Sequence, residues 1–108
     1  MKNLALRNQA MTNTTTTVVE GVYLLHFTKP LGRAKHYIGW SPDIDKRVSR
    51  HKTGKGAKFT ASAVRNGAEL LLVRIWKGGD RRLEWVLKNS GAHSDLCPLC
   101  KAHLESSE

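Results

Sequence analysis

No stretch of this 108-residue chain approaches the ~20 consecutive apolar residues of a membrane-spanning helix, and none can be assigned. The opening MKNLALRNQA lacks the long apolar core and small-residue cleavage pattern of a signal peptide. Cysteine is scarce too. Cys97 and Cys100 stand too close together to staple a fold, and such sparing use suggests a reducing compartment. The expectation is a cytoplasmic protein. There is no internal repeat. Acid is the other shortage: nine Asp and Glu face eighteen Lys and Arg, a formal charge of +9 with a pI near 10.0. Between Lys29 and Lys88 fifteen basic residues stand against five acidic ones, so the excess lies in the body of the chain. Lys46, Arg47, Arg50, Lys52, Lys55 and Lys58 follow one another with no acid between them. That is the footprint of a polyanion binder, the plainer reading being a merely solubilising surface. No basic amphipathic helix carries a strong apolar face, which argues against a membrane-surface role.

What is present suits one domain with a modest core. Residues 1–17 are polar, end in four threonines and read as a flexible tail. Val18 to Phe27, rich in β-branched and aromatic residues, predicts a first strand. A break at Thr28 to Gly32 and a second strand over His36–Trp40 make an antiparallel hairpin. Period two sets Tyr23 and Leu25 on one face of the first strand and Tyr37 and Gly39 on one face of the second. Ser41-Pro42-Asp43 predicts a helix start, with a capping hydroxyl, proline at the first helical position and an acid in the first turn. That helix runs to about Lys52 with Ile44 and Val48 inward, and Arg47 and His51 border the same stripe. Ala57–Arg65 suits a second short helix. Leu70–Trp76 reads as a third strand, nearly all apolar and therefore buried. Asp80 caps a helix over Arg81–Asn89 with Leu83, Val86 and Leu87 inward. From 92 to 108 the expectation is a short irregular tail carrying a CxxC. The fold class is therefore α+β: a three-stranded antiparallel sheet flanked by helices.

Four pieces of this chain also stand in a telling order: Gly21-Val22-Tyr23, then Tyr37-Ile38-Gly39, then Arg47 with His51 one turn on, then Glu84. Two phenols, a guanidinium, an imidazole and a carboxylate can divide the work of cutting a phosphodiester. That work needs a nucleophilic water, neutralised phosphoryl oxygens and help for the leaving oxygen. The ordered set resembles the GIY-YIG nuclease family, in its GVY…YIG variant, over 21–89. The resemblance implies this same fold over 18–91 and a DNA endonuclease dependent on Mg²⁺ or Mn²⁺.

The resemblance also assigns roles. Glu84 would be the metal ligand, a hard oxygen of the kind Mg²⁺ takes one or two at a time. By spacing alone it is rather an i,i+4 partner of Lys88. Arg47 matches the family's essential arginine and can grip a phosphate with two parallel hydrogen bonds. Tyr23 matches the general base; a phenol is weakly acidic, and a nearby cation such as Arg47 should make its phenolate more accessible. His51 could take the proton on, although a histidine near a helix C-terminus is also favoured by the dipole alone. Tyr37 would position water or phosphate. For either tyrosine the plainer reading is a half-buried strand aromatic with a satisfied hydroxyl. The chain departs from the family at Trp40, where many members carry lysine. Asn89 follows Glu84 too closely on one helix to take the role of the family's later asparagine.

Arg50, Lys52, Lys55 and Lys58 would touch DNA through its phosphates, with specificity left to nucleic-acid shape or to a protein partner. Cys97 and Cys100, with His93 and His103 nearby, nominally offer Zn²⁺ four ligands. Their compressed His-x3-Cys-x2-Cys-x2-His spacing lacks the long loop between two close pairs, which favours unliganded cysteines over zinc or a reactive dithiol. Two rivals to the nuclease follow. One is a non-catalytic nucleic-acid-binding module on the same fold; the other is a zinc-knuckle adaptor.

Overall fold

The computed structural model of the chain describes residues 18–91 and 93–106, the side chains as far as 102. The expected tail over 1–17 lies outside the described residues. Three strands, β1 (Gly21–Leu31), β2 (Ala34–Ser41) and β3 (Leu70–Lys77), form one sheet in the order β2-β1-β3, antiparallel throughout. Helices α1 (Ile44–Lys52) and α2 (Lys58–Arg65) connect β2 to β3. After β3 come α3 (Arg81–Lys88), the single turn α4 (His93–Leu96) and α5 (Pro98–Ser106).

The central strand explains the layering. Val22, Tyr23, Leu24, Leu25 and Phe27 are all buried, and alternation sends them to opposite faces. Tyr23, Leu25 and Phe27 pack with Ile44 and Val48 of α1 and with Ala63 of α2. Val22 and Leu24 pack with Ile38, Cys97, and Leu83 and Leu87 of α3. An antiparallel sheet covered on both faces makes β1 apolar from Val22 to Phe27 save for the Tyr23 hydroxyl and part-buried His26. Each such side chain contributes roughly 1.5–3 kcal/mol on burial.

Five expectations need correction. β1 runs on through Thr28, Lys29 and Pro30, and the chain turns only at Gly32–Arg33. α1 begins two residues later than Ser41-Pro42-Asp43 suggested. Asp43 is its cap, accepting from the Lys46 amide at 3.2 Å, while Ser41 Oγ donates to the Asp43 carbonyl and accepts from its amide. β3 is not buried throughout: it is an edge strand, with only Leu70 fully inside and Ile75 39% exposed. On α3, Leu83 and Leu87 face the core as expected but Val86 is exposed, because the sheet covers a narrower stripe than three positions. Finally, 92–108 is not an irregular tail, since α4 and α5 lie within it. The Asp80 cap stands as expected, accepting from the Leu83 amide at 2.9 Å.

Candidate active site

The hairpin register places the two tyrosines. Tyr23 pairs across with Gly39 and Leu25 with Tyr37, so both phenols stand on the face covered by α1 and α2, their ring centroids 6.3 Å apart. Gly39 is required for its lack of a side chain. A Cβ there would sit 2.5 Å from the Tyr23 hydroxyl and 3.0 Å from the Tyr37 ring.

α1 brings His51 to the same spot. Its imidazole is fully buried, with centroids 5.8 Å from Tyr23 and 5.1 Å from Tyr37. The Tyr23 hydroxyl and His51 Nε2 are 2.7 Å apart. On the other side of the ring, Nδ1 lies 2.8 Å from Thr60 Oγ1, and that hydroxyl donates to the Ala57 carbonyl at 3.0 Å. Thr60 has then spent its hydrogen, so Nδ1–H donates to it and Nε2 carries the lone pair that accepts from Tyr23. The Ala57 amide also points at Nδ1, at 3.4 Å, and would require the opposite tautomer. The short Thr60 contact outweighs this long one. Gly56 closes the pocket, since a Cβ on it would collide with the His51 ring.

The electrostatics correct one expectation. Burial, reinforced by Tyr37, pushes the Tyr23 hydroxyl above the ordinary phenol value; Arg47 pulls the other way and does not prevail, and Glu84 adds to the rise. Tyr23 is therefore a neutral phenol here, not a phenolate favoured by Arg47. Burial, then the nearby Arg47 charge, lowers His51 to about 4, which leaves a neutral imidazole with a free lone pair but a weaker base than an ordinary histidine. Arg47 is exposed on α1, and its charge is felt by both groups.

Glu84 reaches the site from α3, which packs beside β2. Its carboxylate, 13% exposed, pairs with Lys88 at 3.2 Å and with Arg81 at 3.7 Å. The i,i+4 partnership expected from spacing thus exists, and it exists within the site. Lys88 in turn lies 5.6 Å from the centre of the Tyr37 ring. All five residues singled out in the sequence are brought together. Thr60 was missed, and nothing local marks it, because it meets His51 only through the bend between α1 and α2. Of the two departures, Trp40 is structural: its Nε1–H donates to the Gly79 carbonyl at 3.0 Å and Arg81 lies over its ring. Asn89 caps α3, donating to the Trp85 carbonyl at 2.8 Å.

Around this centre the surface is basic. Arg50, Lys52, Lys55 and Lys58 are exposed at the facing ends of α1 and α2. A groove beside Tyr37 is lined by Arg33, Lys35, Phe59 and Lys88. Among the described residues no helix is long and apolar enough to cross a membrane.

The chain is similar to a UPF0213 protein of Pectobacterium carotovorum subsp. carotovorum (strain PC1). The two are 41% identical over 56 residues, covering 48% of this chain and 52% of the relative. The chain thus spans about half the length of that curated relative. No family model matches the chain, and no solved structure matches it significantly.

Proposed function

We propose that the chain is a GIY-YIG-type endonuclease that hydrolyses DNA phosphodiester bonds with one divalent cation, Mg²⁺ or Mn²⁺. The observation that carries this reading is the Tyr23–His51–Thr60 chain of hydrogen bonds, with contacts of 2.7 and 2.8 Å, where the charges of Arg47 and Glu84 both act on Tyr23. A buried tyrosine needs only one partner for its hydroxyl. A tautomer-fixed histidine at that hydroxyl, with a lone pair ready, is what a proton relay needs. In the reaction, a water attacks phosphorus and gives its proton to Tyr23 Oη as Tyr23 passes its own to His51 Nε2, while the P–O bond opposite the water breaks and the leaving oxygen takes a proton from solvent. The imidazolium so formed keeps its Nδ1–H on Thr60. Arg47 holds and neutralises the phosphoryl oxygens.

Glu84 fits a hard cation by chemistry, as a partly exposed carboxylate oxygen at the edge of the site. Binding there would draw it away from Lys88 and Arg81. Such a cation supplies charge neutralisation on the scissile phosphate and the leaving oxygen. Tyr23 has no solvent exposure, so substrate reaches it only when a neighbour moves. Tyr37 is a half-buried neighbour of Tyr23, and Lys88 lies over the Tyr37 ring.

These same two features, the covered Tyr23 and the already paired Glu84, favour a second reading: a nucleic-acid-binding module that keeps the basic face and does not cut. Incubating supercoiled plasmid with the chain and Mg²⁺ or Mn²⁺ separates the two. The nuclease nicks the plasmid, EDTA stops it, and Glu84→Ala is inactive. A wild-type chain that binds DNA without nicking plasmid or branched substrates in either metal would remove the nuclease reading.

A further inference from the structure

On the opposite face of the sheet, four side chains from distant parts of the chain converge on one point. His26 and His36 are cross-strand partners in the hairpin. Alternation turns them away from the tyrosines, since each is an odd number of residues from its own strand's tyrosine. Cys97, between α4 and α5, and Cys100, in α5, come down over them. The four ligand atoms all lie within 4.8 Å of one another. His26 Nδ1 is 3.4 Å from His36 Nε2, 3.5 Å from Cys97 Sγ and 3.7 Å from Cys100 Sγ, and Cys100 Sγ is 3.4 Å from His36 Nε2.

Hydrogen bonding explains this poorly. One nitrogen, His26 Nδ1, faces three partners, two of them weak thiols, and can bond well with only one. A metal explains it well. A tetrahedron with Zn–N of about 2.05 Å and Zn–S of about 2.3 Å has N···N edges of about 3.35 Å and N···S edges of about 3.55 Å. The N···N edge here is 3.4 Å and three of the four N···S edges are 3.5, 3.7 and 3.4 Å, with the remaining pairs inside the 4.8 Å limit.

The donor set names the metal. Two thiolates and two imidazoles suit Zn²⁺ and not the hard cations that carboxylates hold. Two thiolate charges also cancel the dication, which suits a place where Cys97 has no exposure and His36 is 8% exposed. We propose that His26, His36, Cys97 and Cys100 form a structural Zn²⁺ site that fastens α4 and α5 to the β1–β2 hairpin. Four protein ligands leave no open position for substrate, so the role is architectural. The site spans 71 residues between His26 and Cys97 and clamps the hairpin where its register shifts, between His26 and Leu31. His36 is next to Tyr37 in sequence, so the metal holds from behind the strand that carries a candidate catalytic phenol.

The ligand set differs from the one spacing suggested. His93 turns its Nε2 to the Lys88 carbonyl at 3.1 Å, and the His103 side chain lies outside the described residues.

The test is metal analysis of the reduced, untagged full-length chain, followed by Co²⁺ substitution. One zinc per chain is expected, with intense tetrahedral Co²⁺ absorption and thiolate-to-cobalt charge-transfer bands. Cys97→Ser with Cys100→Ser abolishes the bands, and His26→Asn loses tight binding. His26→Cys keeps the metal with a stronger thiolate band, and His93→Asn changes nothing. Should His26→Asn fail to fold, the wild-type stoichiometry and His26→Cys still decide. A reduced chain with neither stoichiometric zinc nor thiolate–cobalt bands would overturn the site. So would a spectrum lost in His93→Asn and kept in His26→Asn.

Discussion

His51 is the residue on which the candidate site turns. It is fully buried yet held by two hydrogen bonds, and burial keeps its ring neutral down to about pH 4. In the unfolded chain the same ring would protonate near its ordinary value of about 6.5. The folded state thus binds fewer protons between those limits, and the stability it enjoys above about pH 6.5 is lost as pH falls towards 4. Denaturant titrations across that window should show a loss on the order of 2 kcal/mol from this group, absent in His51→Gln. The same depression predicts that the acid limb of cleavage, in kcat/KM against pH, lies nearer 4 than 6.5. Thr60→Val leaves His51 Nδ1–H without its acceptor in a buried place. It should cost about 1–3 kcal/mol in denaturation, with a larger fall in single-turnover cleavage than in DNA affinity. Tyr23, Tyr37, Arg47 and His51 were legible because each lies in a short local pattern, whereas Glu84 stands out only through the resemblance, spacing alone making it a partner of Lys88. Thr60 was not legible, because the contact that matters comes from how two helices fold back on each other.

Among the elements, the hairpin was the most readable. Its period-two pattern places both tyrosines on one face, and Gly39 opposite Tyr23 fixes the register. Gly39→Ala should therefore force Tyr23 and Tyr37 apart, destabilising the fold by about 1–3 kcal/mol. Cleavage should fall further than stability explains, which thermal melts read beside nicking rates would show. That same register implies that His26 faces His36, a juxtaposition the residues alone do not announce. What the pattern could not give was position within the sheet. A run such as Leu70-Leu71-Leu72-Val73 reads the same in a central strand and at an edge, and only the strand order makes β3 an edge. The start of α1 was misjudged by two residues because Ser41 and Asp43 are both capable caps, and the chain path out of β2 selects the second.

For the whole molecule, the uneven charge and the two-sided burial of β1 set the terms. The charge excess was readable from composition, and the structure gathers part of it where α1 meets α2, with Arg50, Lys52, Lys55 and Lys58 all exposed. If these touch phosphates, the slope of log affinity against log salt should shrink by about 0.9 for each one changed to Gln, regardless of DNA sequence. Fluorescence anisotropy over a salt series measures it. The joining of Cys97 and Cys100 to β1 and β2 was not readable, because it spans 71 and 64 residues and follows only from the packing of α4 and α5. The central claim, that this is a metal-dependent nuclease and not a binder, rests on what Glu84 is for. The most direct measurement is DNA affinity and plasmid nicking on the same preparations of wild type and Glu84→Ala, in Mg²⁺. The nuclease predicts nicking by the wild type, a fall of at least about 100-fold in Glu84→Ala, and affinity nearly unchanged. A wild type that does not nick, with Glu84→Ala binding DNA more tightly through Lys88 and Arg81 released from their partner, would contradict it.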